Sequence, residues 1–282
     1  MKFPLTLPSP AKLNLFLHIN GRLPNGYHEL QTVFQFVDYG DTMTFEPRDD
    51  GEVILITEFD GVAHDDNLIV RAARLLQQHT GCQQGIQISI DKILPMGGGI
   101  GGGSSNAATV LLACNYIWNT KLPLEELAQL GLQLGADVPV FVHGKATFAE
   151  GVGEKFTDVD PEQPWYLIVY PSVHVNTGTI FNHPDLPRST AKLVSTDIKP
   201  NELGNDCQQL VAKTYPQVEK ALRWLLEYAP SKLTGTGSCV FAPFQTQQQA
   251  HQALLDLPEP MTGFVAKGCN TSPLHTALQQ QQ

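Results

Sequence analysis

Nowhere does this chain run to the roughly 18 successive apolar residues that a membrane-crossing helix requires, which argues against a membrane-embedded protein. Nor does the N-terminus read as a secretory leader. Pro4, Pro8 and Pro10 interrupt the N-terminus, and the apolar stretch from Leu13 to Ile19 contains Asn14 and His18. Cysteine is scarce: Cys82, Cys114, Cys207, Cys239 and Cys269 are odd in number, with no CxxC pair and no His/Cys cluster at zinc-ligand spacing. That excludes a disulfide scaffold or zinc finger and fits reduced thiols in a cytoplasmic protein. Positive charge is in deficit, with 18 basic against 28 acidic side chains and a formal charge of −10. Such a field repels nucleic acid and anionic membranes, so an anionic small molecule would need a locally basic pocket. Nothing calls for an obligate protein partner.

What is present suffices for two ordinary domains: 282 residues, 42% of them hydrophobic. Lys12 to Ile19 alternates, with Leu13, Leu15, Leu17 and Ile19 on one face, and reads as a strand with one core face. Strands are also expected at Thr32–Val37, Thr42–Glu46, Val53–Thr57 and Ile86–Ile90, and helices at Asn67–Gln78, Ser104–Trp118 and Leu124–Leu134. A boundary falls near Asp160 to Pro164. Beyond it, strand Trp165–Tyr170, helix Cys207–Leu226, strands Lys232–Leu233 and Cys239–Phe244, helix Thr246–Leu255 and strand Phe264–Lys267 give the order βαββαβ of a ferredoxin-like fold. The class is α+β.

The richest signal is Leu94 to Trp118, where six glycines flank Ile100 and run straight into a helix of small and then apolar residues. Glycines let backbone N–H groups approach a phosphate, and a helix start adds unpaired donors and a positive dipole end. Rival readings fare worse. A flexible linker rarely feeds directly into a helix. Gly97, Gly99 and Gly102 satisfy GxGxxG, yet no Asp or Glu lies between Asp91 and Glu125 to hold a ribose. A Walker A loop needs a lysine, and none lies between Lys92 and Lys121.

The segment Pro95 to Ala108 (PMGGGIGGGSSNAA) resembles the ATP-phosphate loop of GHMP kinases. Pro10 to Ile19 (PAKLNLFLHI) is similar to that family's first motif, and Leu233 to Ala242 (LTGTGSCVFA) to its third, glycine-rich one. Ile100 stands where leucine is common and Ser238 where alanine is common; neither change removes a reacting group. The resemblance implies a GHMP kinase fold, with an N-terminal ribosomal-protein-S5-like domain over residues 1–160 and a C-terminal ferredoxin-like domain over 161–282. It further implies an alcohol phosphotransferase using ATP with Mg²⁺, in the branch whose second substrate is a cytidyl diphosphate sugar alcohol of isoprenoid precursor synthesis. Other GHMP kinases, acting on mevalonate, homoserine or a sugar, and a non-catalytic ligand sensor on the same fold are the alternatives.

On this resemblance Asp137 is the catalytic base and Lys12 its charge partner. From position alone, an aspartate between Gly135 and Pro139 reads instead as a helix cap. Asn14 shares the polar face of Lys12, although such a face also suits an exposed strand edge. Tyr27 and His28 match a cytidine-recognising pair, Phe181 the opposite wall with Thr177 nearby, and Phe34 a pocket wall; each aromatic alone suits a core equally well. Pro95, Met96, Gly97, Gly98, Gly99, Ile100, Gly101, Gly102, Gly103, Ser104 and Ser105 match the nucleotide loop. Asn67 and Lys92 match positions near the nucleotide, with Asn67 also a good N-cap. Gly235 and Gly237 approach the substrate diphosphate or simply turn the chain. No carboxylate lies close to the loop in sequence, so no metal ligand is named.

Overall fold

The computed structural model describes residues 3–24, 26–59, 61–194 and 198–281. Its first half is built on one long antiparallel pair, β1 (Leu5–Arg22) and β2 (His28–Arg48). The two strands expected at Thr32–Val37 and Thr42–Glu46 are one, because β2 stays paired with β1 through Gly40, opposite Pro10. There follow β3 (Val53–Leu55), α1 (Leu68–Thr80), β4 (Gly85–Asp91), α2 (Gly102–Ile117), α3 (Leu124–Leu134), α4 (Val138–His143), β5 (Thr147–Glu150) and β6 (Lys155–Asp158). No charged residue occurs in α2, and it is buried almost all round, as the central helix of a layer must be.

The second half comprises β7 (Trp165–Tyr170), α5 (Thr177–Asn182), α6 (Gln208–Thr214), α7 (Pro216–Leu226), β8 (Lys232–Leu233), β9 (Val240–Phe244), α8 (Gln247–Leu255), β10 (Thr262–Cys269) and α9 (Pro273–Gln279). Its strands lie in the order β10-β7-β9-β8, the ferredoxin-like arrangement. The helix expected over Cys207–Leu226 is two. Pro216 disfavours helical backbone in the residue before it, and Tyr215 is extended at φ −123° and ψ 93°.

β1 is buried on both faces from Ser9 to Leu17, not on one as its alternation suggests. The reason is that it threads three cores: Leu5 and Leu7 pack with α1 and α2, Ala11 to Phe16 sit between the halves, and Leu17 and Ile19 join the second half. β10 pairs with β2 at Gly268 and Cys269, and Leu274 and Leu278 of α9 return to the first core.

Lys232 ties these parts together. Its Nζ donates to the carbonyls of Leu15 (3.3 Å), Pro200 (2.8 Å) and Asn201 (3.1 Å), while burial pushes its ammonium down to about 8. Lys232→Met strands three acceptors and should lower unfolding free energy by about 1–3 kcal/mol, read from urea denaturation midpoints at constant slope.

Candidate active site

The glycine loop is pinned by the third glycine motif. Cys239 N–H donates to the Gly98 carbonyl (2.9 Å) and Thr234 Oγ1 to that of Gly99 (3.3 Å). These glycines answer to protein packing. A Cβ on Gly99, at φ +73°, would stand 2.5 Å from the Thr234 carbonyl oxygen, and one on Gly101, at φ +76°, 2.7 Å from the Phe141 ring. Beyond Gly101 the first-turn N–H groups of α2, at Gly102, Gly103 and Ser104, have no intrahelical carbonyl to bond. They face a cleft of about 380 Å³, walled also by Asn67, Lys92, Pro95, Met96 and Gly97 to Gly99. Two expected contacts do not belong there. Ile100 turns its side chain into the core between the halves, and Ser105 is buried behind α2, accepting a hydrogen bond from Ser9 (2.9 Å). Asn67 lines the cleft and caps α1 as well, accepting from Ile69 N–H at 3.0 Å.

Lys12 and Asp137 meet at the inner end of this cleft, with Nζ 3.3 Å from Oδ2. Only 2% of Lys12 is exposed against 41% of Asp137. Asn14 Oδ1 (2.6 Å) and the Gly99 carbonyl (3.2 Å) accept the other ammonium protons, and the Phe34 ring lies 5.2 Å below. Asp137 immediately precedes α4, yet its side chain caps no backbone N–H. The cap reading therefore fails, and the carboxylate is held by Lys12 with room on its solvent side.

Asp137 also lines a second cavity of about 300 Å³ with Lys12, Asn14, Phe34, Ser104 and Gly235. Thr177 and Phe181 continue this space into a third, of about 510 Å³, bounded by Tyr27 and His28. Phe181 does not stand across a gap from His28: the rings stack at 5.0 Å and 25°, while Tyr27 is 59% exposed at the rim. Gly237 is a turn glycine. Its N–H donates to the Thr234 carbonyl (2.9 Å), and a Cβ there would meet Leu233 at 3.0 Å.

A buried carboxylate behind the loop escaped the sequence reading. Asp41, fully buried, takes the Ile93 (2.9 Å) and Leu94 (2.8 Å) N–H groups on Oδ1, and Lys92 Nζ (2.6 Å) and Asn106 Nδ2 (2.9 Å) on Oδ2. It thereby aims both Lys92 and Asn106, which line the nucleotide-sized cleft, and fixes the approach to the glycine loop. Its partners lie 51 to 65 positions away, so no local spacing announces them.

Comparison with known proteins gives the same picture. The family described as GHMP kinases N terminal domain matches residues 67–145, and GHMP kinases C terminal matches residues 190–263. A relative from Pseudoalteromonas atlantica, named 4-diphosphocytidyl-2-C-methyl-D-erythritol kinase, is 58% identical over 96% of this chain and 95% of its own. A protein of the same name from Shewanella sp. (strain W3-18-1) is 59% identical over 96% of each. The chain belongs to the GHMP kinases. Among solved structures, a 4-(cytidine 5'-diphospho)-2C-methyl-D-erythritol kinase superposes with TM-score 0.79 at 28% identity, over 94% of this chain and 99% of the other. A mevalonate kinase at 17% identity and TM-score 0.69, covering 94% and 99%, shares the fold. Among the described residues of this GHMP kinase, no helix is long and apolar enough to cross a membrane, and no cluster of three or more His, Cys, Asp or Glu side chains is placed to hold a metal ion.

Asp41→Asn replaces one of two acceptor oxygens with an amide that faces only donors. Breaking this buried pair should cost about 3–5 kcal/mol of stability and weaken nucleotide binding. Thermal unfolding with and without ATP reads both effects, and an unchanged melting temperature would deny Asp41 its anchoring role.

Proposed function

We propose that the chain is an ATP-dependent kinase that phosphorylates the 2-hydroxyl of 4-diphosphocytidyl-2-C-methyl-D-erythritol, in the methylerythritol phosphate route to isoprenoid precursors. One observation carries the chemistry: the Lys12–Asp137 pair stands where the nucleotide-sized cleft and the second cavity meet, with Asp137 lining both. The names of relatives 58% and 59% identical over nearly the whole chain support the substrate. So does the third cavity, whose Tyr27, His28 and Phe181 suit a pyrimidine that mevalonate, homoserine and sugars lack.

In this reading the N–H groups of Gly102 to Ser104 and the Lys92 ammonium hold the triphosphate, while Asn14 and Gly235 border the substrate's path to Asp137. Asp137 accepts the hydroxyl proton as that oxygen attacks the γ-phosphorus in line, and ADP leaves with the electrons of the broken P–O bond. Lys12 stays protonated, holds the carboxylate in place and offsets charge on the transferring group. Ser104, which borders both cavities, offers a hydroxyl that would help hold a Mg²⁺ ion brought in with the triphosphate, whose charge the ion would neutralise. We assign residues 1–160 and 161–282 to the two domains, and five free thiols support a reducing, cytoplasmic setting.

ADP release in a coupled assay should be fast with the cytidyl diphosphate alcohol and negligible with mevalonate, homoserine or galactose; preference for one of the latter would overturn the substrate assignment. Asp137→Asn should lower turnover by about 10²–10⁴-fold with both substrates still bound. Near-normal turnover in the folded variant would remove Asp137 as the base.

A further inference from the structure

Behind the cavity of Tyr27, His28 and Phe181 stands a guanidinium whose three nitrogens are all engaged. Arg188 lies in the segment after α5. Its Nη1 donates to the Leu186 carbonyl (3.0 Å), and Nη2 to those of Phe181 and His183 (2.8 Å each). The plane of the fork is thereby fixed to the C-terminal end of α5, the helix that carries Thr177 and Phe181. The remaining Nε–H donates to Nε2 of His28, 3.0 Å away.

A guanidinium is a donor at every nitrogen, so Nε2 of His28 must be the acceptor. The ring is then neutral, with its proton on Nδ1. Its surroundings agree. Burial, then Arg188, then Arg22 lower the His28 pKa below the ordinary imidazole value. Arg22 arrives from β1 directly opposite His28 in register, and the neighbouring Glu29 carboxylate is engaged by Lys192 at 2.5 Å. The charges that act on the ring are thus cationic, and both disfavour a second ring proton.

We infer that Arg188 is a positioning residue for base discrimination: it locks His28 as the neutral Nδ1–H tautomer, so the ring offers the pyrimidine a donor and no acceptor. The inference rests on the proposed cytidyl substrate. Cytosine presents an acceptor at N3 where uracil carries a hydrogen, while O2 accepts in both, so the distinction lies at N3. A ring held as donor favours cytosine, while one free to exchange tautomers would accept from uracil equally well.

The test records ¹⁵N shifts of the His28 ring in the wild type, Arg188→Met and Arg188→Lys between about pH 8 and about pH 5.5, with kinetics on the cytidyl substrate and its uridyl analogue. In the wild type the neutral ring should carry its proton on Nδ1 and none on Nε2, and should take up a second proton only below the ordinary imidazole value. Arg188→Met should give mixed tautomers and a pKa raised relative to the wild type, with burial and Arg22 still holding it below the ordinary imidazole value of about 6.5. Its KM for the cytidyl substrate should rise about tenfold, with kcat and KM for ATP held and the cytidyl preference falling about tenfold, as for loss of one fixed hydrogen bond. Arg188→Lys, which can reach Nε2 but cannot span three carbonyls, should fall between. A wild-type ring whose neutral form carries its proton on Nε2, or ring signals and preference unchanged in Arg188→Met, would overturn the inference. If Arg188→Met does not fold, the wild-type shifts and the Lys variant decide. If the wild type ignores the cytidyl substrate, the functional reading and the discrimination fall together, while the shifts still report whether the tautomer is locked.

Discussion

An ammonium group withdrawn from water must find its counter-charge and acceptors nearby, and the centre of this protein is organised around that demand at Lys12. With 2% exposure it takes Asp137 from just before α4, Asn14 from its own strand and the Gly99 carbonyl from the glycine loop. Removing one partner of a buried pair typically costs about 3–5 kcal/mol, because the other charge is left stranded. Satisfying Lys12 therefore also brings together three segments that are far apart in sequence. Gly101 belongs to the same constraint, since a Cβ there would meet Lys12 Cε at 3.2 Å and the Phe141 ring at 2.7 Å.

β1 gives that cluster its rigidity. It passes through all three cores, so Lys12 and Asn14 sit on a strand that neither half can move alone. The third glycine motif locks onto it from the other side: Asn14 N–H donates to Thr234 Oγ1 at 3.0 Å, and Thr234 Oγ1 in turn reaches Gly99. Glycine loop, β1 and second half thus share one hydrogen-bonded junction, which the proposed in-line transfer would require.

Much of this could be read in the sequence wherever periodicity ran long enough. α3 and β7 fall where their patterns put them, and α2 begins at Gly102, two residues before the expected Ser104 and within the glycine cluster. α4, α5, β5 and β6 span only four to six residues, too short for a period to stand out, and of these α4 follows Asp137 and α5 carries Phe181. The single core face assigned to β1 failed because alternation cannot reveal that a polar face is buried against its own counter-charge. Pro216 marks the break between α6 and α7, although apolar spacing continues across it. Asp41 and Arg188 were illegible for another reason: each acts on a side chain 51 and 160 positions away, respectively.

If Lys12 and Asp137 work as one unit, their effects on turnover cannot be independent. A double-mutant cycle on turnover with Asp137→Asn, Lys12→Met and the pair measures this directly. A coupled site predicts that each single variant loses about 10²–10⁴-fold and that the double variant loses little more than the worse single one. Losses that multiply in the double variant would contradict a shared site and leave two residues acting separately.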